Sequence, residues 1–251
     1  MKLGSLKSGR DGRLVVVSQD LAWCADAGHI ARTLQAALDD WAHAAPQLEN
    51  LAVDLSHQVI PMDRFHERAA AAPLPRAFGH AVAKAGDGIA LAASGAFPAP
   101  RDATGPADDA RPGVAVITGD VPRGATREEA LAAIRLVGLS THMDGETSFS
   151  PVFATPEELG ARWGDGRLRG DIRVEADGAL RFAVDAADTP DFGELITQIA
   201  ATRALPAGSV ITSGPIGPAP APLAAGETLK IAVLDEHHHP VFGMIEHVAE
   251  A

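Results

Sequence analysis

The chain has 251 residues, 46% of them hydrophobic, and a formal net charge of −12. That supplies core for one large β-rich domain or two small ones, while the acidic balance and an aromatic content of 4% with no tyrosine argue against a nucleic-acid partner. Cys24 is the single cysteine, which excludes disulfide frameworks and multi-thiolate metal sites and reads as a small buried side chain.

No apolar run approaches the ~18 residues needed to cross a bilayer. The opening stretch "MKLGSLKSGRDGRLVVVSQD" scatters charge where a secretory signal would keep an apolar core. A cytoplasmic protein is expected, with small molecules or other proteins as partners and neither nucleic acid nor membrane.

The first predicted elements are a hairpin, "KLGSLK" turning through "SGRDG" into the β-branched run "RLVVVSQD". Residues 30–51 place Ile30, Leu34, Ala37, Leu38 and Trp41 at helical spacing, with Pro46 breaking or restarting the helix. His29 and His43 read as solvated or capping. Residues 68–109 are rich in Ala, Gly and Pro; they predict a surface connection with a strand or turn at 73–78 and a strand at 88–93.

After Gly113 the pattern sharpens. "VAVITGDVPRG" is a strand ending in a turn. A helix follows, with Thr126 as N-cap and Glu129 at the capping-box position, giving way to a strand near 134–140. "TPEELGARW" is a second capped helix, with Thr155 as N-cap, Pro156 at the first helical position and Glu158 at the capping-box position. "DIRVEADGALRFAV" is a hairpin turning at Ala176, Asp177 and Gly178, "DFGELITQIAATRAL" an amphipathic helix and "GSVITSGP" a strand. The last hairpin, "ETLKIAVLDEHHHPVFGMIEHV", carries His237, His238 and His239 in its turn, where adjacent side chains diverge and suit solvent better than one shared ion. Many strands with few helices indicate an α+β or β-roll architecture.

The segments "MKLGSLKSGRDGRLVVVSQDL", "TLQAALDDW", "PLPRAF", "VAVITGDVPRG", "SFSPVFATPEELG", "LPAGSVITSGP" and "LKIAVLDEHHHPVFGMIEH" span nearly the whole chain. In order and wording they resemble the bacterial single-chain form of the fumarylacetoacetate hydrolase superfamily. The resemblance implies an α+β fold, a mixed β-roll over residues 70–251 behind a small N-terminal subdomain of residues 1–69. It also implies a homodimer or pairing with a related subunit, and cleavage or isomerisation of oxo acids. In that family one Mg²⁺ or Mn²⁺ is held by a Glu-x-Glu pair at the start of the strand resembling "VAVIT" and by a later Asp, and a His–Glu pair activates water.

Carried over by residue, the Glu-x-Glu pair falls on Arg111 and Gly113 around Pro112, and the later Asp falls on His142. The family Lys is lost to a shortening between Asp144 and Ser148, and the Thr ending the "GSGT" strand becomes Pro215, two residues after Ser213. A guanidinium cannot replace a carboxylate ligand. No metal or other cofactor is therefore expected, and Arg111, Gly113, Ser213 and Pro215 are expected to line what is left of the pocket.

Other residues could carry chemistry. His80 aligns with the family's general-base His if a loop is deleted, or else is a packing or solvated His. His142, Asp144 and Glu146 alternate in "THMDGETS", so on one strand they would converge on a metal or a proton, or else they form a polar loop. Three readings stay open. The first is a degenerate superfamily member retained as a binding or partner subunit. The second is a metal-independent hydrolase, lyase or isomerase on an oxo acid or related intermediate, using His142, Asp144, Glu146 or His80. The third is a metal-dependent hydrolase with ligands from Asp102, Asp108 and Asp109.

Overall fold

The computed structural model describes residues 1–251 apart from 78, 85–87, 93–96, 102–103, 106–109, 144–145, 219–220, 222 and 250–251. The chain begins with β1 (Lys2–Leu6), β2 (Arg13–Val17), β3 (Trp23–Asp26), α1 (Leu34–Asp39), α2 (Trp41–Ser56) and β4 (Asp63–Arg64). The middle holds β5 (Gly79–Lys84), β6 (Gly88–Ala92), β7 (Thr104–Gly105), β8 (Arg111–Thr118), α3 (Arg127–Ala133) and β9 (Ile134–Met143). Next come β10 (Glu146–Phe149), β11 (Val152–Ala154), α4 (Pro156–Leu159), β12 (Trp163–Gly164), β13 (Arg167–Leu168), β14 (Asp171–Ala176) and β15 (Ala179–Asp185). The chain closes with α5 (Phe192–Ala200), β16 (Ser209–Thr212), β17 (Thr228–Val233) and β18 (Ile245–Ala249).

Among the described residues, eleven strands form one sheet in the order β4-β3-β2-β1-β11-β9-β8-β16-β5-β6, with β10 paired to β9, and β15-β14-β17-β18-β7 form a second. β1 pairs with both β2 and β11, so the N-terminal hairpin extends the main sheet. The architecture is the expected α+β one. No helix among the described residues is long and apolar enough to cross a membrane.

Strand β8 shows how the layers divide. Val114 and Val116 enter a core shared with α3, α5 and the second sheet, whereas Ala115 and Ile117 enter a core with α1 and α2. Successive side chains of a strand point to opposite faces, so Arg111 and Gly113 share the face of Ala115. Phe149, Phe153, Phe192 and Phe242 are fully buried, each contributing about 1.5–3 kcal/mol of transfer free energy.

Local signals explain most of the elements. Thr126 and Glu129 form a complete capping box on α3, and the Thr155 hydroxyl accepts from the Glu158 N–H at the start of α4. The β14–β15 hairpin turns at Asp177 and Gly178, both at positive φ (47° and 80°), as a two-residue turn of matching twist requires. Between β17 and β18, Asp235 Oδ1 accepts the backbone N–H groups of His237 and His239 at 2.8 Å each, and all three histidines are exposed.

Two expectations need correction. The helix over 30–51 is two helices: Thr33 caps α1, the chain breaks at Asp40 (φ −133°, ψ 53°), and α2 runs through Pro46. Pro46 lies in the second turn of α2, so the helix loses a ladder bond near its start while Ala44, Leu48, Leu51 and Leu55 bury one stripe. Within residues 68–109 the expected strand at 88–93 is β6, but 79–84, expected as surface connection, is strand β5, and both belong to the main sheet. The alanines of β5 give a weak strand signal; its place is set by parallel pairing with β16, residue 80 beside residue 210.

Candidate functional site

The polar residues singled out in the sequence gather on the Ala115 face of the main sheet, at the end where β8 begins and β9 finishes. Arg111 stands opposite His142 and Gly113 opposite Ser140 across β8 and β9, while Thr147 of β10 stands opposite His142 on the other side. The His142 ring lies between two hydroxyls, Nε2 3.3 Å from Ser140 Oγ and Nδ1 3.3 Å from Thr147 Oγ1. A neutral imidazole has one donor and one acceptor nitrogen, so one hydroxyl accepts from the ring and the other donates to it. Burial first, then His80 and then Arg111, push the His142 pKa down to about 4.

His80 reaches the same face from β5. It is a packing histidine, 6% exposed, with its ring edge-on to Phe97 at 5.1 Å and to Phe149 at 6.4 Å. Its Nε2 is buried without a hydrogen-bond partner among the described residues, and burial lowers its pKa. Two neutral imidazoles and one guanidinium therefore share a face that disfavours positive charge.

Pro112 and Ser213 explain how β8 starts inside a sheet. Even-numbered backbone groups of β8 point toward β16: the Ser213 N–H donates to Val114 O at 2.9 Å, and Val114 N–H donates to Ser213 Oγ at 3.0 Å. Pro112 N points the same way, beyond Thr212, the last residue of β16, where no ladder partner is left to lose. Past that point the chain crosses over through Gly214 (φ 72°) and Pro215, and Ile216 N–H donates to Pro112 O at 2.8 Å.

This crossing fills the space beside Gly113. A Cβ on Gly113 would sit 2.6 Å from Gly214 O, 2.9 Å from Ser140 Oγ and 3.0 Å from Ser213 Oγ. A glutamate at this position has no room without moving backbone. The donors that the described residues bring to the face, two neutral histidines, hydroxyls and Arg111, do not fit a hard divalent cation, which takes anionic oxygens. Among the described residues no group of three His, Cys, Asp or Glu is placed to hold a metal ion.

The other candidates separate. Glu146 is exposed and opposite Met143, so it lies on the face away from His142 and Thr147. The premise of one continuous strand fails because β9 and β10 are a hairpin, and the chain reverses between His142 and Glu146. Asp144 falls outside the described residues, as do Asp102, Asp108 and Asp109.

Some polar residues went unforeseen. His247 is 1% exposed on β18, its Nε2 3.4 Å from Ser148 Oγ, bridging the two sheets. Arg101 pairs with Glu67 at 2.7 Å and Glu246 at 2.8 Å, tying the segment before β5 to the second sheet. Only alternation along "IEHVA" hints at the first, and nothing local signals the second.

Residues 1–76 match the family described as fumarylacetoacetase N-terminal domain 2. No curated protein matches by sequence. Among solved structures, the chain is similar to maleylpyruvate hydrolase from Sphingobium sp. SYK-6, with a TM-score of 0.73 at 16% identity over 100% of this chain and 99% of that one. A second structure of that enzyme, in complex with manganese(II) and pyruvate, gives 0.70 at 17% identity, with both chains fully covered. Fumarylacetoacetate hydrolase from the psychrophile Exiguobacterium antarcticum gives 0.65 at 17% identity over 100% and 99% of the two chains. The 5-carboxymethyl-2-hydroxymuconate delta-isomerase from Mycobacterium smegmatis gives 0.60 at 16% identity, with the same coverage. The chain thus opens with a match to a fumarylacetoacetase N-terminal domain and has, end to end, the fold of these fumarylacetoacetate hydrolase-type structures.

Proposed function

We propose that this chain is a fumarylacetoacetate hydrolase-like protein without the divalent-metal reaction, and that the Arg111–His142–His80 face binds a small organic anion, the chain acting as a binding or partner subunit. The observation that carries the reading is the placement of the Arg111 guanidinium opposite His142 across β8 and β9, on the face that His80 also reaches. Burial penalises a bare cation there, and the Arg111 guanidinium adds repulsion to that cost. The same guanidinium suits a carboxylate, which it can meet with two parallel N–H donors. The packing against Gly113 supports the reading from sterics.

A melting scan on tag-free protein, with Mg²⁺ or Mn²⁺ and with oxalate or pyruvate, tests it. Oxalate or pyruvate should raise Tm in the presence of a chelator, and Arg111→Met should abolish the rise. Stabilisation that requires Mn²⁺ or Mg²⁺ would overturn the proposal in favour of metal chemistry supported by Asp102, Asp108 or Asp109.

A second reading, a metal-independent hydrolase, lyase or isomerase acting on an oxo acid, is favoured by one observation. The His142 ring is set between the Ser140 and Thr147 hydroxyls, a short chain of groups that each can donate and accept a proton. Turnover of an oxo acid in chelator that is lost in His142→Asn would favour it over simple binding.

A further inference from the structure

A second cavity, of about 440 Å³, shares no residue with the face described above. Its floor is Lys2 on β1 and Val17 on β2, and one wall is the outer stripe Glu49, Ala52, Val53 and Ser56 of α2, spaced so that one helix face meets the opening. The opposite wall is the start of α4, with Glu157 and Glu158. The volume falls within the range that takes small-molecule ligands.

Its charges are laid out unevenly. Lys2 is 7% exposed, and its Nζ donates to Gln19 O at 2.7 Å. An ammonium has three donors, and no carboxylate lies within ion-pair distance of Lys2 among the described residues. Glu158 is engaged with the Met1 amine at 3.1 Å. Glu49 and Glu157, both exposed at the rim, have no ion pair among the described residues. Val53, 53% exposed, and Ala52 supply apolar surface between floor and rim. Burial holds the Lys2 pKa below the usual lysine range although Glu158, Asp235 and Asp20 act to raise it.

A desolvated cation with donors to spare gains most from an anionic oxygen pair brought to it. A plain anion, however, must pass two unpaired carboxylates. We infer that this cavity binds a small zwitterion of the amino-acid type, its carboxylate on Lys2, its aliphatic arm on Val53 and Ala52, and its cationic end on Glu49 and Glu157. The site is independent of the Arg111 face.

Calorimetric titration of the whole chain with 6-aminohexanoate and 5-aminopentanoate, amino acids whose one cationic group lies at the far end from the carboxylate, tests the inference, with agmatine, which lacks the carboxylate, and hexanoate, which lacks the cation, as controls. Binding of at least one of the two amino acids with Kd below about 1 mM is expected, and agmatine and hexanoate should bind about tenfold more weakly or worse. Lys2→Met should weaken the amino acid about tenfold or more. Glu49→Gln, an exposed change that leaves the core alone, should weaken it several-fold and lower its salt dependence. No binding of either amino acid below about 10 mM, agmatine or hexanoate matching them, or affinity unmoved in Glu49→Gln or in a Lys2→Met variant that melts cooperatively would each overturn it.

Discussion

Lowering the pH should destabilise this protein in part through one side chain, and the size of that contribution follows from His142. Its pKa is about 4 in the fold against 6.5 in the open chain, so the unfolded state takes up the proton first. The stabilisation is fully present above pH 6.5, is lost as pH falls from there toward 4, and changes no further below that. Each pH unit between those limits is worth about 1.4 kcal/mol, giving about 2 kcal/mol lost between pH 7.5 and pH 5 and about 3 kcal/mol in all. The assay is urea unfolding of wild type and His142→Asn at pH 7.5, 6 and 5. Taking the difference cancels the carboxylates, which titrate alike in both. The variant should be the less stable at pH 7.5, having lost its contacts to Ser140 and Thr147, yet fall by about 2 kcal/mol less on going to pH 5. Parallel pH profiles for the two proteins, or an imidazole resonance of His142 titrating near 6.5, would refute the electrostatic account of the site.

Two further outcomes follow from packing. Ser213→Ala removes the acceptor of the buried Val114 N–H, so unfolding free energy should drop by about 1–3 kcal/mol; a change below ~0.5 kcal/mol by denaturant titration would mean that water or a shifted strand replaces the hydroxyl. Gly138→Ala would place a Cβ 2.3 Å from the Phe153 ring, and the enforced movement should cost about 1–3 kcal/mol with a visible loss of melting cooperativity; an unchanged Tm would show that the ring has somewhere to go.

The sequence is most legible where the responsible physics is local. The capping box of Thr126 and Glu129, the αL turn at Asp177 and Gly178, and the β-branched run of β8 each state their structure within a few residues. Legibility fails where the cause is remote. "GHAVAK" is a poor strand by propensity and becomes one through a partner about 130 residues away. His80 was accordingly a histidine in a patternless stretch until that pairing set it on the face of His142. Alternation along "THMDGETS" fails to place Glu146 for a different reason: β9 and β10 pair as a hairpin, which sets Thr147 and not Glu146 opposite His142. Nothing near Gly113 in the sequence announces the crossing of Gly214, whose carbonyl would sit 2.6 Å from a Cβ at position 113.

The parallel register of β5 with β16 bears on the order of assembly. Joining residue 80 to residue 210 closes a long stretch of chain, so its loop-closure entropy is met only after nearer contacts such as the β8–β9 and β14–β15 hairpins have formed. β5 and β6 also end the sheet, with no strand beyond β6 in the described order. The histidine of β5 thus sits one strand in from the edge of the sheet, and β5 is held there by β16 on one side and the edge strand β6 on the other. A ligand that spans Arg111 and His80 would slow exchange along residues 79–84, making that ribbon the natural reporter of occupancy.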